Sequence, residues 1–188
     1  MISPYESAWE LHQFLVRSGV RYAIIDGVAV QHWGEPRLTV DLDVTVSVPL
    51  DQPEAFVRAI MERFTPRHPD PTTFARQTRV VPVQASNGCP MDISPAVPGY
   101  EDEVMRRAVD YEIEPGRTVR LASAEDLIVH NAVAGRPQDL ADIAGIVYRQ
   151  RDSLDVAYVR RWLGDFAAAL DLPEILDRFE GPWKTVHP

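Results

Sequence analysis

Val40-Asp41-Leu42-Asp43-Val44-Thr45-Val46-Ser47-Val48 is the stretch on which the reading of this chain turns. Val40, Leu42, Val44, Val46 and Val48 occupy one side of a period-2 pattern, and Asp41, Asp43, Thr45 and Ser47 occupy the other. That alternation predicts a strand with one apolar and one polar face. Asp41 and Asp43 then share a face, ~6.6–6.8 Å apart along the chain. Two carboxylates held this way repel unless a positive charge sits between them. A hard divalent cation such as Mg²⁺ fills that role with oxygen ligands, completing its shell with waters and substrate phosphates. By itself the alternation equally describes a strand with its polar face in water.

The neighbouring segments add chemistry to the pair. Upstream, Val20 to Ile25 is a short apolar run suited to a buried strand, and Asp26-Gly27 leads from it into a predicted helix over Val28–Trp33 that ends at Gly34. Gly27 lets the backbone approach a phosphate closely, and a helix N-terminus offers unpaired N–H donors to an anion. Arg37 and Thr39 lie between that helix and the acidic strand. Downstream, Met91-Asp92-Ile93 reads as another short strand, able to lie beside the first. Three carboxylates, Asp41, Asp43 and Asp92, beside a phosphate cradle form the layout required for metal-assisted phosphoryl or nucleotidyl transfer.

The rest of the chain frames this core. Ser3-Pro4-Tyr5-Glu6 reads as a capping box, followed by Ala8, Leu11, Phe14 and Leu15 at helical spacing, with Gly19 as the stop. Asp51 and Glu54 frame another cap ahead of Phe56, Ile60, Met61 and Phe64. A proline-rich connection from Pro66 to Pro71 leads to β-prone residues between Thr73 and Ala85. A helix is expected over Glu101–Val109, then a hairpin of Tyr111–Ile113 and Thr118–Leu121 turning at Pro115-Gly116. From Ser123 the pattern becomes helical: Ser123 caps a helix ending at Gly135, and Pro137 opens one carrying Leu140, Ile143, Ala144 and Val147. Two more helices are expected, over about 155–170 and 173–179. Trp162, Phe166 and Leu170 recur at i, i+4 and i+8 as a core stripe. The expected division is an α/β core over 1–122 and a helical region over 123–188.

Composition bounds the function. The 188 residues are 45% hydrophobic and carry 28 acidic against 19 basic groups, for a net charge of −9. An ordinary apolar fraction excludes wholesale disorder, and the acidic balance argues against a protein that coats nucleic acid through phosphate contacts. Lys184 is the one lysine among the basic residues. Cys89, the sole cysteine, has no internal disulfide partner. Met1 to Glu6 lacks a basic region followed by an apolar one, and no apolar run approaches the ~20 residues that span a bilayer, so the expected setting is the cytoplasm, without membrane contact. His12, His32, His68 and His187 show no metal-ligand spacing with one another or with Cys89. No nucleophile elbow, Walker A motif or dinucleotide-binding glycine fingerprint occurs. Asp139, early in the helix opened by Pro137, reads as a partner of the helix dipole.

Two blocks carry a family resemblance. Val20-Arg21-Tyr22-Ala23-Ile24-Ile25-Asp26-Gly27-Val28-Ala29-Val30 followed by Gly34-Glu35-Pro36-Arg37-Leu38-Thr39-Val40-Asp41-Leu42-Asp43 resembles the signature of the DNA polymerase β-like nucleotidyltransferase superfamily. Ala124-Glu125-Asp126-Leu127-Ile128 with Ala134-Gly135-Arg136-Pro137-Gln138-Asp139-Leu140-Ala141-Asp142-Ile143 resembles the helical segment of its AbiEii-type branch, which includes MenT-like toxin nucleotidyltransferases. The resemblance spans about residues 20–147 and implies a nucleotidyltransferase-like mixed sheet flanked by helices, an α/β (α+β) class, followed by a C-terminal helical bundle.

It further implies that Asp41 and Asp43 bind catalytic Mg²⁺ and a nucleoside triphosphate, with Asp92 the third carboxylate, acting on an acceptor hydroxyl through the metal or as a base. Gly27 would lie against the phosphates, and Arg37, Thr39, Asn131 and Arg136 would contribute to nucleotide binding. The reaction implied is attack of the acceptor hydroxyl on the α-phosphorus with release of pyrophosphate. The acceptor would be a tRNA 3′ end or a protein, and a toxin of this kind would have a cognate antitoxin. The chain departs from the family pattern at Asp26, where glycine is usual, and at Asn131, where lysine is common. An asparagine forms hydrogen bonds but does not neutralise phosphate charge. A second reading is therefore a catalytically degenerate fold that binds nucleotide or a partner. A third is a nucleotidyltransferase acting on a cationic small molecule such as an aminoglycoside.

Overall fold

In the computed structural model, residues 3–48, 53–97 and 99–188 are described, and they divide into two compact units: Met1–Val28 with Leu38–Ala122, and Ala29–Arg37 with Ser123–Pro188. The first is built on a sheet. Helix α1 (Pro4–Arg17) is capped by Ser3, whose Oγ accepts from Glu6 N at 3.3 Å, and buries Ala8, Leu11 and Leu15. Strand β1 (Arg21–Ile25) follows and runs directly into α2 (Asp26–Trp33), so the helix starts two residues earlier than its apolar pattern suggests. The acidic stretch forms β2 (Leu42–Ser47), with Asp41 in a bend just ahead of it.

Helix α3 (Pro53–Arg63) seats Val57 and Ile60; Asp51, read as its cap, lies outside the described residues. A two-residue strand β3 (Thr65–Pro66) leads to α4 (Pro71–Thr78). This helix corrects the β-prone reading of residues from Thr73 onward. Asp70 accepts a 3.2 Å bond from Thr73 N, and Pro71 occupies the first helical turn, where its missing N–H costs nothing. Strands β4 (Val81–Gln84) and β5 (Pro90–Pro95) come next, then α5 (Tyr100–Arg107) and the hairpin β6 (Val109–Glu114) and β7 (Arg117–Leu121). Val109, expected to end a helix, instead begins β6.

Among the described residues seven strands pair in the order β3-β4-β5-β2-β1-β7-β6. The sheet is mixed: β2 pairs antiparallel with β1 and parallel with β5, and β1 pairs parallel with β7. Leu42, Val44 and Val46 of β2 are buried with Met91 and Ile93 of β5 and Val81 and Val83 of β4. Each such side chain removed from water stabilises the fold by about 1.5–3 kcal/mol before chain entropy is counted. This packing holds β2 at the centre of the sheet, a rigid support for Asp43.

The second unit is helical. Ser123 caps α6 (Ala124–Ala134), its Oγ accepting from Asp126 N at 3.1 Å and donating to Asp126 Oδ2 at 2.7 Å. Helix α7 (Pro137–Gln150) follows, then a short 3₁₀ turn, α8 (Val156–Leu170) and α9 (Glu174–Val186). Leu127, Ile128, Ile143, Ile146, Val159, Leu163, Ile175 and Phe179 form its core. On α8 the fully buried residues are Val159 and Leu163, while Trp162 and Phe166 are half-buried and Leu170 is 48% exposed, so the expected core stripe of Trp162, Phe166 and Leu170 is corrected. Residues 29–37 belong to this unit because they lie tightly on α7. Arg149 and Gln150 donate to the carbonyls of Gly34 and Trp33, and a Cβ at Gly145 would stand 3.0 Å from Glu35 N. None of the described helices is long and apolar enough to cross a membrane.

Candidate active site

One end of the sheet gathers the acidic residues. Asp43, second residue of β2, registers opposite Ile25, the last residue of β1, and beside Asp92 on β5. Register partners on parallel strands point to the same face about 4.8 Å apart. Asp43 and Asp92 are only partly buried between fully buried neighbours, Leu42 and Val44 on one strand and Met91 and Ile93 on the other. Asp41 is two residues ahead of Asp43 and exposed. The first unit therefore brings Gly27, Thr39, Asp41, Asp43 and Asp92 to the same sheet end.

The turn beside them explains one departure in the sequence. Asp26 has φ +52°, in the left-handed region where glycine is the easy choice. An ordinary L-residue costs about 1–2 kcal/mol there, and aspartate is among the few that tolerate it. Asp26 thus occupies a glycine-type backbone position. Gly27 is required for a different reason. A Cβ at this position would fall 2.7 Å from Thr39 Cβ and also against Thr39 Oγ1. Thr39 fills the space above Gly27, and its hydroxyl lies 3.0 Å from Asp41 Oδ1 and 3.4 Å from Asp41 O. With one proton to give, the hydroxyl makes its better bond to the carboxylate and orients it.

Arg67 joins this arrangement without any signal in the sequence. It follows β3, and its guanidinium pairs with Asp92 Oδ1. Nothing local marks this contact, because Arg67 sits in a connection whose prolines dominate the reading and the pair is 25 residues apart in sequence. Cys89 is buried nearby, with Sγ 3.5 Å from Val40 O. Burial pushes its thiol pKa up; the Ser7 hydroxyl opposes this, Asp41 adds to it and Arg67 opposes it.

Among the described residues no three His, Cys, Asp or Glu side chains converge closely enough to hold a metal ion. The donor chemistry still suits Mg²⁺, a cation commonly held by one or two carboxylates together with substrate phosphates. Asp41 and Asp43 are the pair that would hold it, whereas Asp92 is engaged by Arg67.

The remaining candidates lie in the helical unit. Arg37 grips Asp142 in a fork, Nε at 3.1 Å from both carboxylate oxygens and Nη2 at 3.0 Å from Oδ2, and Gln138 completes the shell of this buried carboxylate. Arg136 folds onto Asp139, with its backbone N–H and guanidinium each 2.8 Å from the carboxylate. Asp139 is buried at the third position of α7, where it also complements the helix dipole. Asn131 is buried on α6, and its Nδ2 finds no hydrogen-bond partner among the described residues.

No protein-family model and no curated protein matches the chain by sequence. Solved structures do match it. An antigenic nucleotidyltransferase-like protein from Paracoccidioides brasiliensis superposes with a TM-score of 0.52 at 16% identity, covering 93% of this chain and 92% of its own. The antibiotic-resistance factor ANT(2'')-Ia superposes with a TM-score of 0.55 at 17% identity, covering 92% and 97%. The same protein in complex with adenylyl-2''-tobramycin gives 0.52 at 16%, covering 88% and 99%. At these identities the likeness is one of architecture: the chain is similar in fold to nucleotidyltransferases along nearly its whole length.

Proposed function

We propose that this protein is a Mg²⁺-dependent nucleotidyltransferase that moves a nucleoside monophosphate from a nucleoside triphosphate to an acceptor hydroxyl. The observation that carries the reading is the register of Asp43 with Asp92, with Asp41 and the Asp26-Gly27 turn at the same sheet end. Asp41 and Asp43 would hold the cation, which supplies charge neutralisation at the phosphates when bound. Asp92 would accept the proton of the acceptor hydroxyl, which then attacks the α-phosphorus as pyrophosphate leaves. Thr39 orients Asp41, and Gly27 makes room for Thr39. Arg37, Asn131 and Arg136 remain the candidates for nucleotide contacts, tested by their effect on triphosphate affinity.

For the acceptor, the sequence resemblance favours a tRNA 3′ end or a protein, within a toxin–antitoxin pair. A second reading has a specific observation behind it. The likeness to ANT(2'')-Ia extends over almost all of both chains, and one of the matched structures holds adenylyl-2''-tobramycin. A cationic, hydroxyl-bearing small molecule also suits a chain of net charge −9. The two separate in one experiment: each labelled triphosphate is offered with total tRNA or with an aminoglycoside panel, and the label is followed into product. Label in tRNA supports the first acceptor and label in the small molecule the second. Triphosphate binding by calorimetry without transfer to any acceptor would instead favour the degenerate, nucleotide-binding reading.

A further inference from the structure

The corner of the sheet unit that carries β3 and α4 has a charge of its own. From Arg63 to Val80 the chain holds four arginines, Arg63, Arg67, Arg76 and Arg79, against one acid, Asp70. The remaining residues carry 15 basic against 27 acidic groups, so this stretch is +3 on a body of −12. Its one acid is committed as the cap of α4. Arg67 pairs with Asp92 on β5, and Arg79 donates to Pro95 O at 3.3 Å on the same strand. The two attachment points are about 10 Å apart along β5. Arg76 is 66% exposed and holds Glu54 across a solvent-exposed contact of 3.3 Å, which stabilises little in water.

Helix α4 adds a second feature, because none of its residues is buried. Its Phe74 packs against His68 with ring centroids 4.6 Å apart, and both rings are half-buried. His68 is held in turn, its Nδ1 lying 2.8 Å from Asp70 O. A fixed aromatic pair among arginines suits an unpaired nucleic-acid strand, whose phosphates attract cations and whose bases stack on ring faces. An acidic peptide would use the arginines and leave the rings idle. A polycation would be repelled.

We propose that this corner binds a single-stranded polynucleotide, with phosphates on Arg67, Arg76 and Arg79 and a base on the His68–Phe74 pair. On the nucleotidyl-transfer reading, which this proposal presupposes, the strand is the acceptor. The Arg67–Asp92 contact then puts the surface beside the carboxylate assigned to the acceptor hydroxyl. A guanidinium has five N–H donors, so Arg67 has donors to spare for a phosphate while it keeps Asp92.

The test is fluorescence anisotropy of a 5′-labelled oligoadenylate of about 12 nucleotides, titrated with the full chain in EDTA at several salt concentrations. Ribo and deoxyribo forms are run side by side to identify which sugar is taken, since charge and stacking fit either. Wild type binds, and log affinity falls against log salt with a slope of roughly −2, about −0.7 for each of three phosphates. Arg76→Gln and Arg79→Gln each reduce the slope by about 0.7 and weaken binding several-fold at low salt. Phe74→Leu weakens binding about fivefold or more and leaves the slope unchanged, as loss of a stacking contact does. Arg161→Gln, the same charge change on an exposed arginine of α8, alters neither. Urea unfolding midpoints show that each variant is folded. The proposal is overturned if wild type shows no salt-dependent binding, if Arg161→Gln weakens binding as much as Arg79→Gln, or if Phe74→Leu binds like wild type. It is also overturned if polyglutamate of equal charge displaces the strand as well as unlabelled oligoadenylate does. If the strand binds but label reaches no acceptor, the transfer reading fails and the binding surface stands; if label reaches an acceptor and the strand does not bind, the reverse holds.

Discussion

Thr39 Oγ1 stands 3.0 Å from Asp41 Oδ1 while its side chain fills the space that a Cβ on residue 27 would need. Gly27, Thr39 and Asp41 therefore act as one unit: a small residue admits a hydroxyl, and the hydroxyl aims a carboxylate. Gly27→Ala forces Thr39 aside and destabilises the fold by about 1–3 kcal/mol, measured by urea unfolding. Thr39→Val keeps the shape and loses the bond. It weakens Mn²⁺ binding while moving the unfolding midpoint far less than Gly27→Ala does.

Asp26 carries the turn at φ +52°. Asp26→Gly is tolerated, since glycine adopts this conformation freely, whereas Asp26→Val destabilises by about 1–2 kcal/mol because a β-branched residue resists it. Thermal unfolding of the two variants distinguishes backbone conformation from the loss of a carboxylate. Equal destabilisation by both would contradict the conformational explanation.

The Arg37–Asp142 fork predicts a stability effect separate from chemistry. Asp142 is 5% exposed and takes bonds from both Arg37 and Gln138. Arg37→Ala leaves a buried carboxylate without its counter-charge and costs about 3 kcal/mol. Asp142→Asn costs less, because the amide oxygen still accepts and no charge is stranded. Urea denaturation of both variants checks the order.

Acid sensitivity follows from two groups around α1. Burial lowers the pKa of His12, partly offset by Asp110, and its Nδ1 lies 2.7 Å from the Tyr22 hydroxyl. Burial likewise pushes that hydroxyl up to about 12, so it stays protonated and donates to a neutral His12. Below pH 6.5 the unfolded chain takes up a proton that folded His12 resists, and stability falls until His12 titrates in the fold as well. Glu10 behaves as a depressed carboxylate. Burial raises its pKa, but bonds from the Ser86 N–H and hydroxyl and from Arg63 outweigh this. Its contribution is complete above pH 4.5 and is lost as pH falls through its folded value. Unfolding midpoints from pH 8 to 3 show the His12 loss first; Glu10→Gln flattens only the lower limb.

How much of this was readable in advance depends on whether the determinant is local. Strand β2 and the α6 and α7 helices announce themselves through period-2 alternation, Ser123 and Pro137, because each signal lies within a few residues of what it governs. Helix α4 was hidden by Thr73, Phe74 and Val80, whose β preference is overridden by the Asp70 cap and Pro71. The backbone conformation at Asp26 is invisible because aspartate is not the residue that usually marks it. Contacts between distant segments left no trace. Arg67 reaches Asp92 across an intervening strand, and Arg37 meets Asp142 from 105 positions away. The alternation marks Asp41 and Asp43, and a separate short strand marks Asp92; the guanidinium that pairs with Asp92 has no such local signal.

Nucleotidyl transfer at the Asp41–Asp43 pair depends on both carboxylates. Its most direct test is transfer from α-³²P-labelled ATP, CTP, GTP and UTP with Mg²⁺, supplied with the tRNA and aminoglycoside acceptors, by wild type and Asp43→Asn. Wild type gives labelled product with at least one triphosphate, and a folded Asp43→Asn protein loses it by about a hundredfold or more. Transfer by Asp43→Asn at the wild-type rate would contradict it.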